Sequence, residues 1–401
     1  MSDTISYIAH QRKSDGDVQS LEVHLLEVSC IAKSLAAKIG LQNQGELIGL
    51  LHDLGKYSSE FQLYLKSAVG LIDQDEDEFV DAKGMKGKVD HSTAGAQLVW
   101  QELANRGEIR RIVGQILSVC IASHHSGLIA CLSSDANSSG EDRFTKRINK
   151  SNDRTHLQEA IAKMDNTVAV RFRELVNNPE VIKGIKESIS KIVRREKRGD
   201  EQIIRFKVGL LVRCLFSCLI DADRMNSADF EKPHAAKARR NGQYSDWTYL
   251  VNQLDSHLSS FMANEPIDKL RASISLHCRD KAENGKGIFT LTVPTGGGKT
   301  LASLRFALHH AEKHKMARVI YAIPFTSIID QNADVVRKIL EPDDGKSNNV
   351  VLEHHSNLMP EEENWKTKML IENWDAPIGS ARPICRARIE TSDPHGWGNV
   401  I

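Results

Sequence analysis

The segment Leu50-Leu51-His52-Asp53-Leu54-Gly55-Lys56 sets an imidazole and a carboxylate inside an otherwise apolar run. From Gly45 to Val69 apolar residues recur at three- and four-residue spacings, which predicts a helix with a buried face. Burying His52 and Asp53 without partners would cost on the order of several kcal/mol, so a fold that accepts this segment must supply a compensator. A divalent metal ion is the natural one. Neutral imidazoles together with a carboxylate favour transition metals such as Mn, Fe, Co or Ni over Mg, which prefers oxygen.

Similar spacings predict helices over 21–39, 94–103, 109–123, 155–175, 180–195, 201–223, 249–262 and 267–278. Almost no strand pattern occurs before about residue 240. Several of these segments carry further candidate ligands. His24 lies on the first, His91 opens the helix that continues over 94–103, and His124-His125 closes the next. Asp221 and Asp223 end the long apolar helix, and His10 sits in a polar terminal arm. Singly, each histidine reads as structural or surface; their order along the chain points to a shared site.

At 401 residues the chain is long enough for two or three domains. Fifty-three basic residues balance 53 acidic ones, so a polyanion would have to be held by local patches. Lys191 to Arg198 and Lys237 to Arg240 are basic clusters that could line a DNA path, but solvated helix faces are the preferred account of them. The longest apolar stretch, Val208 to Ile220, is interrupted by Arg213 and too short to cross a bilayer, so no membrane span is expected. Met1 to Asp17 lacks the apolar centre of a secretory signal, and seven scattered cysteines suit a reducing cytoplasm. Cys214 and Cys218 are expected in the core.

The pattern changes at Gly287. Ile288 to Val293 predicts a strand, Leu301 to His314 a helix, Arg318 to Ile323 a second strand and Ser327 to Leu340 a second helix, which begins a parallel α/β domain. Between the first strand and helix runs Thr292-Val293-Pro294-Thr295-Gly296-Gly297-Gly298-Lys299-Thr300, the context of a phosphate-binding loop. Backbone N–H groups and the helix N-terminus suit a β-phosphate, Lys299 reaches β/γ oxygens, and Thr300 can ligate Mg. Val293 stands where the strict pattern has glycine. Tyr321 to Gln331 follows the second strand, and Pro324, Thr326 and Ser327 are candidates to hold a nucleic-acid backbone.

The order His24, His52-Asp53 and a distant aspartate in an Ala-Asp-Arg context resembles the HD metal-dependent phosphohydrolase superfamily, and that context selects Asp223 over Asp221. His91 and the His124-His125 pair resemble its two-metal subset. Two metals about 4 Å apart can polarise a phosphoryl oxygen, activate water and stabilise the leaving oxygen, so phosphodiester hydrolysis is expected. Lys56, predicted one helical turn after His52, is a candidate to neutralise transition-state charge; a solvated lysine at a helix end is the competing account.

Pro-Thr-Gly-Gly-Gly-Lys-Thr resembles the phosphate loop of superfamily-two helicases. An HD domain followed by such a loop resembles the CRISPR-associated HD nuclease-helicases, the signature effectors of type I CRISPR systems. Glu353-His354-His355-Ser356 is also similar to this family. The resemblance implies that His24, His52, Asp53, His91, His124, His125 and Asp223 ligate two metals, with His52, Asp53 and Lys56 catalytic. It implies that Thr295, Gly296, Gly297, Gly298, Lys299 and Thr300 bind ATP with Mg. It further implies single-stranded DNA drawn from the displaced strand of a Cascade-bound R-loop as substrate.

The expected architecture is multidomain: an all-α HD-type domain over 1–240, a helical linker over 241–284, a partial α/β RecA-like domain over 285–378 and an irregular tail over 379–401. After Glu372 to Ile378 the sequence lacks the family's Thr-Thr strand, acidic box and second RecA-like domain. A frameshifted or prematurely terminated product is expected, in which ATP hydrolysis and translocation are doubtful while weak ATP binding can persist. Two other readings stand beside this one: an HD phosphohydrolase acting on nucleotides, and a catalytically silent fragment that docks on Cascade or DNA.

Overall fold

In the computed structural model the described residues are 7–12, 14–68, 90–129, 131, 140, 142–233, 245–262, 264–323, 326–341, 350–354 and 376–381. They divide into two units, 1–236 and 237–401.

The first unit begins with a feature that periodicity did not show. β1 (Ile8–Gln11) and β2 (Val18–Ser20) form an antiparallel hairpin, held down by Gln62, whose Oε1 accepts the Ile8 N–H at 2.9 Å and whose Nε2 donates to the Ile8 carbonyl at 3.1 Å. Ser20 then caps α1 (Leu21–Ala37), accepting the Val23 N–H at 3.2 Å. α2 (Gln42–Leu51) packs on α1, and its Leu47, Ile48 and Leu51 share one buried core with Leu21, Leu25 and Val28.

The expected single helix over 45–69 is broken in two. α2 stops at Leu51, Asp53 leaves helical backbone (φ −109, ψ 22), Leu54–Tyr57 forms a 3₁₀ turn, and α3 (Ser59–Ala68) follows. A close approach causes the break: the Gly55 N–H donates to the His91 carbonyl at 3.2 Å, and a Cβ at position 55 would lie 2.5 Å from the His91 Cα. Only glycine fits there.

α4 (Ser92–Ala104) and α5 (Glu108–Ser123) add Val99, Leu103, Leu117 and Ile121 to the same core. α6 (Arg143–Ile148), α7 (Asn152–Thr155), α8 (Leu157–Lys163), α9 (Asn166–Asn177) and α10 (Pro179–Arg195) follow. The last helix of the unit, α11 (Glu201–Glu231), starts on an Asp200 cap and runs past the expected end at Asp223, since no proline intervenes before Pro233. Its Leu215, Leu219 and Ala222 are buried and Cys218, partly buried, packs against the same core, whereas Cys214 is exposed, contrary to the core placement expected for it.

The second unit contains α12 (Trp247–Ser259), α13 (Pro266–Ala282), α14 (Lys299–His314), β3 (Val319–Ala322), α15 (Thr326–Leu340), β4 (Val351–His354) and β5 (Ile378–Ala381). The strands form a parallel sheet in the order β3-β5-β4, with Ile378 opposite both Val319 and Val351. Leu250, Leu304, Leu308, Val336 and Ile378 share its core. Two expectations fail here. Residues 288–293 are not a strand: no ladder pairs them among the described residues, and Ile288 is fully exposed. Conversely Gly379 to Ala381, read as the start of an irregular tail, belong to the central strand. A four-residue strand flanked by glycine and serine is too short for periodicity to reveal. No helix among the described residues is long and apolar enough to cross a membrane.

Candidate metal centre and phosphate loop

Helix ends and one hairpin bring the titratable residues of the first unit to a point. His52 is the C-cap of α2 and Asp53 follows it, His91 is the N-cap of α4, and His124 is the C-cap of α5 with His125 beyond it. His24 projects from the first turns of α1 and Asp223 from the interior of α11. His52 Nδ1 lies 2.8 Å from the Gly49 carbonyl and His124 Nδ1 2.7 Å from that of Ile121. A carbonyl only accepts, so both Nδ1 atoms donate, leaving Nε2 of each ring as the atom directed at the centre.

Asp53 is the hub. Its Oδ2 lies 3.3 Å from His52 Nε2, 3.5 Å from His24 Nε2 and 2.7 Å from the Lys56 ammonium. Its Oδ1 lies 3.1 Å from His124 Nε2, 3.7 Å from His91 Nε2 and 3.8 Å from His125 Nε2. Asp223 Oδ1 stands 3.6 Å from Nε2 of both His24 and His52. His24, His52, Asp53, His91, His124, His125 and Asp223 are thus brought together, the carboxylate of Asp53 dividing the imidazoles into two groups. Lys56 is buried on the 3₁₀ turn rather than solvated, and its partner is Asp53.

The electrostatics follow from this packing. Burial opposes ionisation of Asp53, but Lys56, His52 and the hydrogen bonds from His124 and His24 outweigh it and hold the carboxyl well below its ordinary range. Asp223 is likewise held low against burial, chiefly by His52. Burial disfavours a charge on His52, yet Asp53 and Asp223 overcome it and raise this imidazole to about 10. Burial lowers His24, and it lowers His91 to about 3 and His125 to about 4.

This donor set fits divalent cations. Asp53, His91, His124 and His125 can offer ligand atoms within 4.8 Å of one another, as can His24, His52 and Asp53, with Asp53 common to both sets. Nε2 of His91 and Nε2 of His125 stand 2.5 Å apart, a separation that two lone pairs do not tolerate without a proton or cation between them. Imidazole nitrogens mixed with carboxylate oxygens suit Mn, Fe, Co or Ni.

His10, noted in the polar arm but outside the ligand set that the resemblance implies, also reaches the centre. The hairpin places its ring 4.8 Å from that of His24, and it forms a third set with His24 and Asp223. Burial lowers its pKa to about 3. Because the polar arm shows no helical period, only the short Ile8-Ala9 pair hints at the strand that carries it.

In the second unit, Thr295, Gly296 and Gly297 form a turn before α14, with Gly298 as N-cap. Gly296 and Gly298 adopt φ of +84 and +80. The Gly297 N–H donates to the Pro294 carbonyl at 3.1 Å, and the Thr300 hydroxyl lies 3.1 Å from Asn332 Oδ1 on α15. Lys299 opens α14. Arg271 of α13, which no motif flagged, donates from Nε to the Gly296 carbonyl at 2.9 Å. Thr326 and Ser327 start α15, while Pro324, Lys237 to Arg240 and His355 lie outside the described residues. Among the cluster Lys191 to Arg198, the basic side chains are exposed.

A helical unit with His and Asp side chains gathered at one point is followed in the chain by an α/β unit with a glycine-rich loop at a helix start, the order of an HD-type domain and a helicase-type domain. Residues 10–190 match the family described as "Cas3, HD domain" and residues 274–375 that described as "DEAD/DEAH box helicase". The CRISPR-associated nuclease/helicase Cas3 of Haloferax volcanii is 24% identical over 319 residues, covering 72% of this chain and 32% of that protein. Over these two segments the chain is similar to the HD and helicase domains of the CRISPR-associated HD nuclease-helicases. Solved structures that resemble it include T. fusca Cas3, at 15% identity and TM-score 0.46, covering 94% of this chain and 44% of that one. The ADP form of T. fusca Cas3 gives 16% identity and TM-score 0.49, covering 95% and 43%. The chain therefore spans about a third of the curated relative's length and less than half of the solved structures'.

Proposed function

We propose that the first unit is a metal-dependent nuclease that cuts single-stranded DNA, and that the second binds ATP with Mg, in CRISPR interference against invading DNA. The observation that carries this reading is the position of Asp53, whose two carboxylate oxygens each face a separate group of imidazoles. One carboxylate serving two ligand sets is the arrangement that a cation pair requires. His24, His52 and Asp223 would hold one cation, His91, His124 and His125 the other, with Asp53 shared.

When bound, the cations supply Lewis acidity toward a phosphoryl oxygen and toward water. The chain's own residues do the rest. Nδ1 of His52 and of His124 is tied to a backbone carbonyl, which fixes the rings and leaves Nε2 as a donor. Buried Lys56 balances the charge of Asp53, so the centre gathers two carboxylates without an unpaired anion. The His125 side chain is about half exposed, at 49%, whereas those of His24 and His52 are fully buried, so a phosphodiester would approach on the His125 side. Hydrolysis adds water across one P–O bond: the hydroxyl goes to phosphorus and the hydrogen to the departing sugar oxygen.

For the second unit, the N–H groups of Gly298, Lys299 and Thr300 at the start of α14 would cradle the phosphates together with Thr295, Gly296 and Gly297 of the turn, with Lys299 and Thr300 placed for β/γ oxygens and Mg. The expected setting is the cytoplasm, with recruitment by a Cascade-type RNA-guided complex. Pro324, Thr326 and Ser327 would hold the DNA backbone. The test is cleavage of circular and linear single-stranded DNA with Mn, Ni or Co, beside a panel of nucleotides. Cutting of the circle that is lost in Asp53→Ala supports the proposal. Hydrolysis confined to nucleotides would favour a nucleotide phosphohydrolase, and no cleavage with any metal would favour a docking protein.

A further inference from the structure

Three imidazoles at the buried heart of the centre have their Nδ1 atoms engaged, but not in the same way. His52 and His124 each use the carbonyl three residues earlier in their own segment. His24 instead places Nδ1 2.7 Å from Oδ1 of Asn226, 202 residues away. Asn226 is buried on α11, three residues after Asp223 and therefore on the same helical face.

We propose that Asn226 is a positioning residue that fixes the tautomer of His24 and aims its Nε2 at the centre. This rests on the metal-binding reading above for its purpose, though not for its geometry. The amide of Asn226 has only one satisfactory orientation. Its Nδ2 lies 2.6 Å from Glu27 Oε2, and an ionised carboxylate can only accept, so Nδ2 must face Glu27. Oδ1 is then turned to His24 and also accepts from Gln19 Nε2 at 3.0 Å. Gln19 Nε2 in turn lies 3.1 Å from Glu27 Oε2, which closes the network. An oxygen facing His24 Nδ1 demands a proton on that nitrogen, so the free lone pair is on Nε2. The chain of constraint runs from Glu27 through Asn226 to His24, and α11 supplies both a carboxylate from Asp223 and the clamp on a neighbouring imidazole. Such outer partners set the orientation and basicity of a ligand histidine, and their loss lowers metal affinity by about 10–100-fold.

The experiment uses the full chain, labelled with ¹⁵N-histidine and treated with chelator. Long-range ¹H–¹⁵N correlations read the His24 tautomer directly, and calorimetry with Mn reads affinity. Wild type should show His24 protonated at Nδ1. Asn226→Leu, which keeps the bulk but removes the acceptor, should lose that signature and bind Mn about 10–100-fold more weakly. Asn226→Asp combined with Glu27→Gln, which exchanges carboxylate and amide and keeps a donor facing an acceptor, should restore both. A wild-type His24 protonated at Nε2 would overturn the proposal, a result that stands even if Asn226→Leu fails to fold. Wild-type tautomer and Mn affinity in Asn226→Leu would also overturn it. If wild type takes up no Mn while the tautomer still depends on Asn226, the positioning role holds and the metal-binding reading falls.

Discussion

The ammonium of Lys56 lies 2.7 Å from Oδ2 of Asp53, inside a turn where both side chains are buried. Removing one member of a buried ion pair strands the other charge and typically costs about 3–5 kcal/mol. Lys56→Met should therefore destabilise the chelator-treated protein by about 3 kcal/mol in urea unfolding. Added Mn, taking over the charge balance, should return part of that loss; equal losses with and without Mn would contradict the account.

The pH dependence follows from opposite shifts in one cluster. His91 at about 3, His125 at about 4 and His10 at about 3 are depressed, so the unfolded chain binds more protons than the folded one between those values and the unfolded pKa of about 6.5. Stability should fall as pH drops through that window, and the lowered carboxyls of Asp53 and Asp223 extend the fall below it. His52, raised to about 10, acts the other way: its contribution is complete below about 6.5 and is lost as pH rises toward 10. Chelator-treated protein should thus be most stable near pH 6.5 in urea midpoints. A cation that displaces the His52 proton should abolish the alkaline loss, and an alkaline slope unchanged by Mn would count against it.

Gly55 fixes His91. A methyl group at position 55 would lie 2.5 Å from backbone atoms of His91. Gly55→Ala should cost about 1–3 kcal/mol through overpacking and should lower bound metal from two equivalents toward one, measured by elemental analysis. Unaltered stoichiometry would show that His91 needs no such contact.

The glycine-rich loop predicts a separable function. Lys299→Ala should weaken a fluorescent ATP analogue by roughly 10-fold to 100-fold, the worth of a charge-assisted hydrogen bond of about 1.5–3 kcal/mol. Metal content should be unchanged. Undiminished nucleotide binding would argue that this lysine faces elsewhere.

Much of the centre was legible because its chemistry is costly. A histidine and an aspartate among leucines need partners, and the order of His24, His52-Asp53, His91, His124-His125 and Asp223 supplied candidates that the fold places around Asp53. What periodicity could not carry were features set by tertiary contact. The break after Leu51 depends on Gly55 meeting His91, and His10 reaches the site only because Gln62 pins a short hairpin. Asn226 and Arg271 act through partners 202 and 25 residues away, distances at which a local pattern is silent. The apolar run at 288–293 shows the converse: composition alone predicted a strand, but a strand requires a neighbour to share its hydrogen bonds.

The central claim is that Asp53 joins two imidazole groups around a cation pair that cuts nucleic acid. The most direct measurement is Mn stoichiometry together with cleavage of circular single-stranded DNA, wild type against Asp53→Ala. Wild type should bind two equivalents and linearise the circle, and the variant should lose both metal and cutting while its far-ultraviolet spectrum stays helical. Two metals retained by Asp53→Ala, or cutting that survives the substitution, would contradict the account.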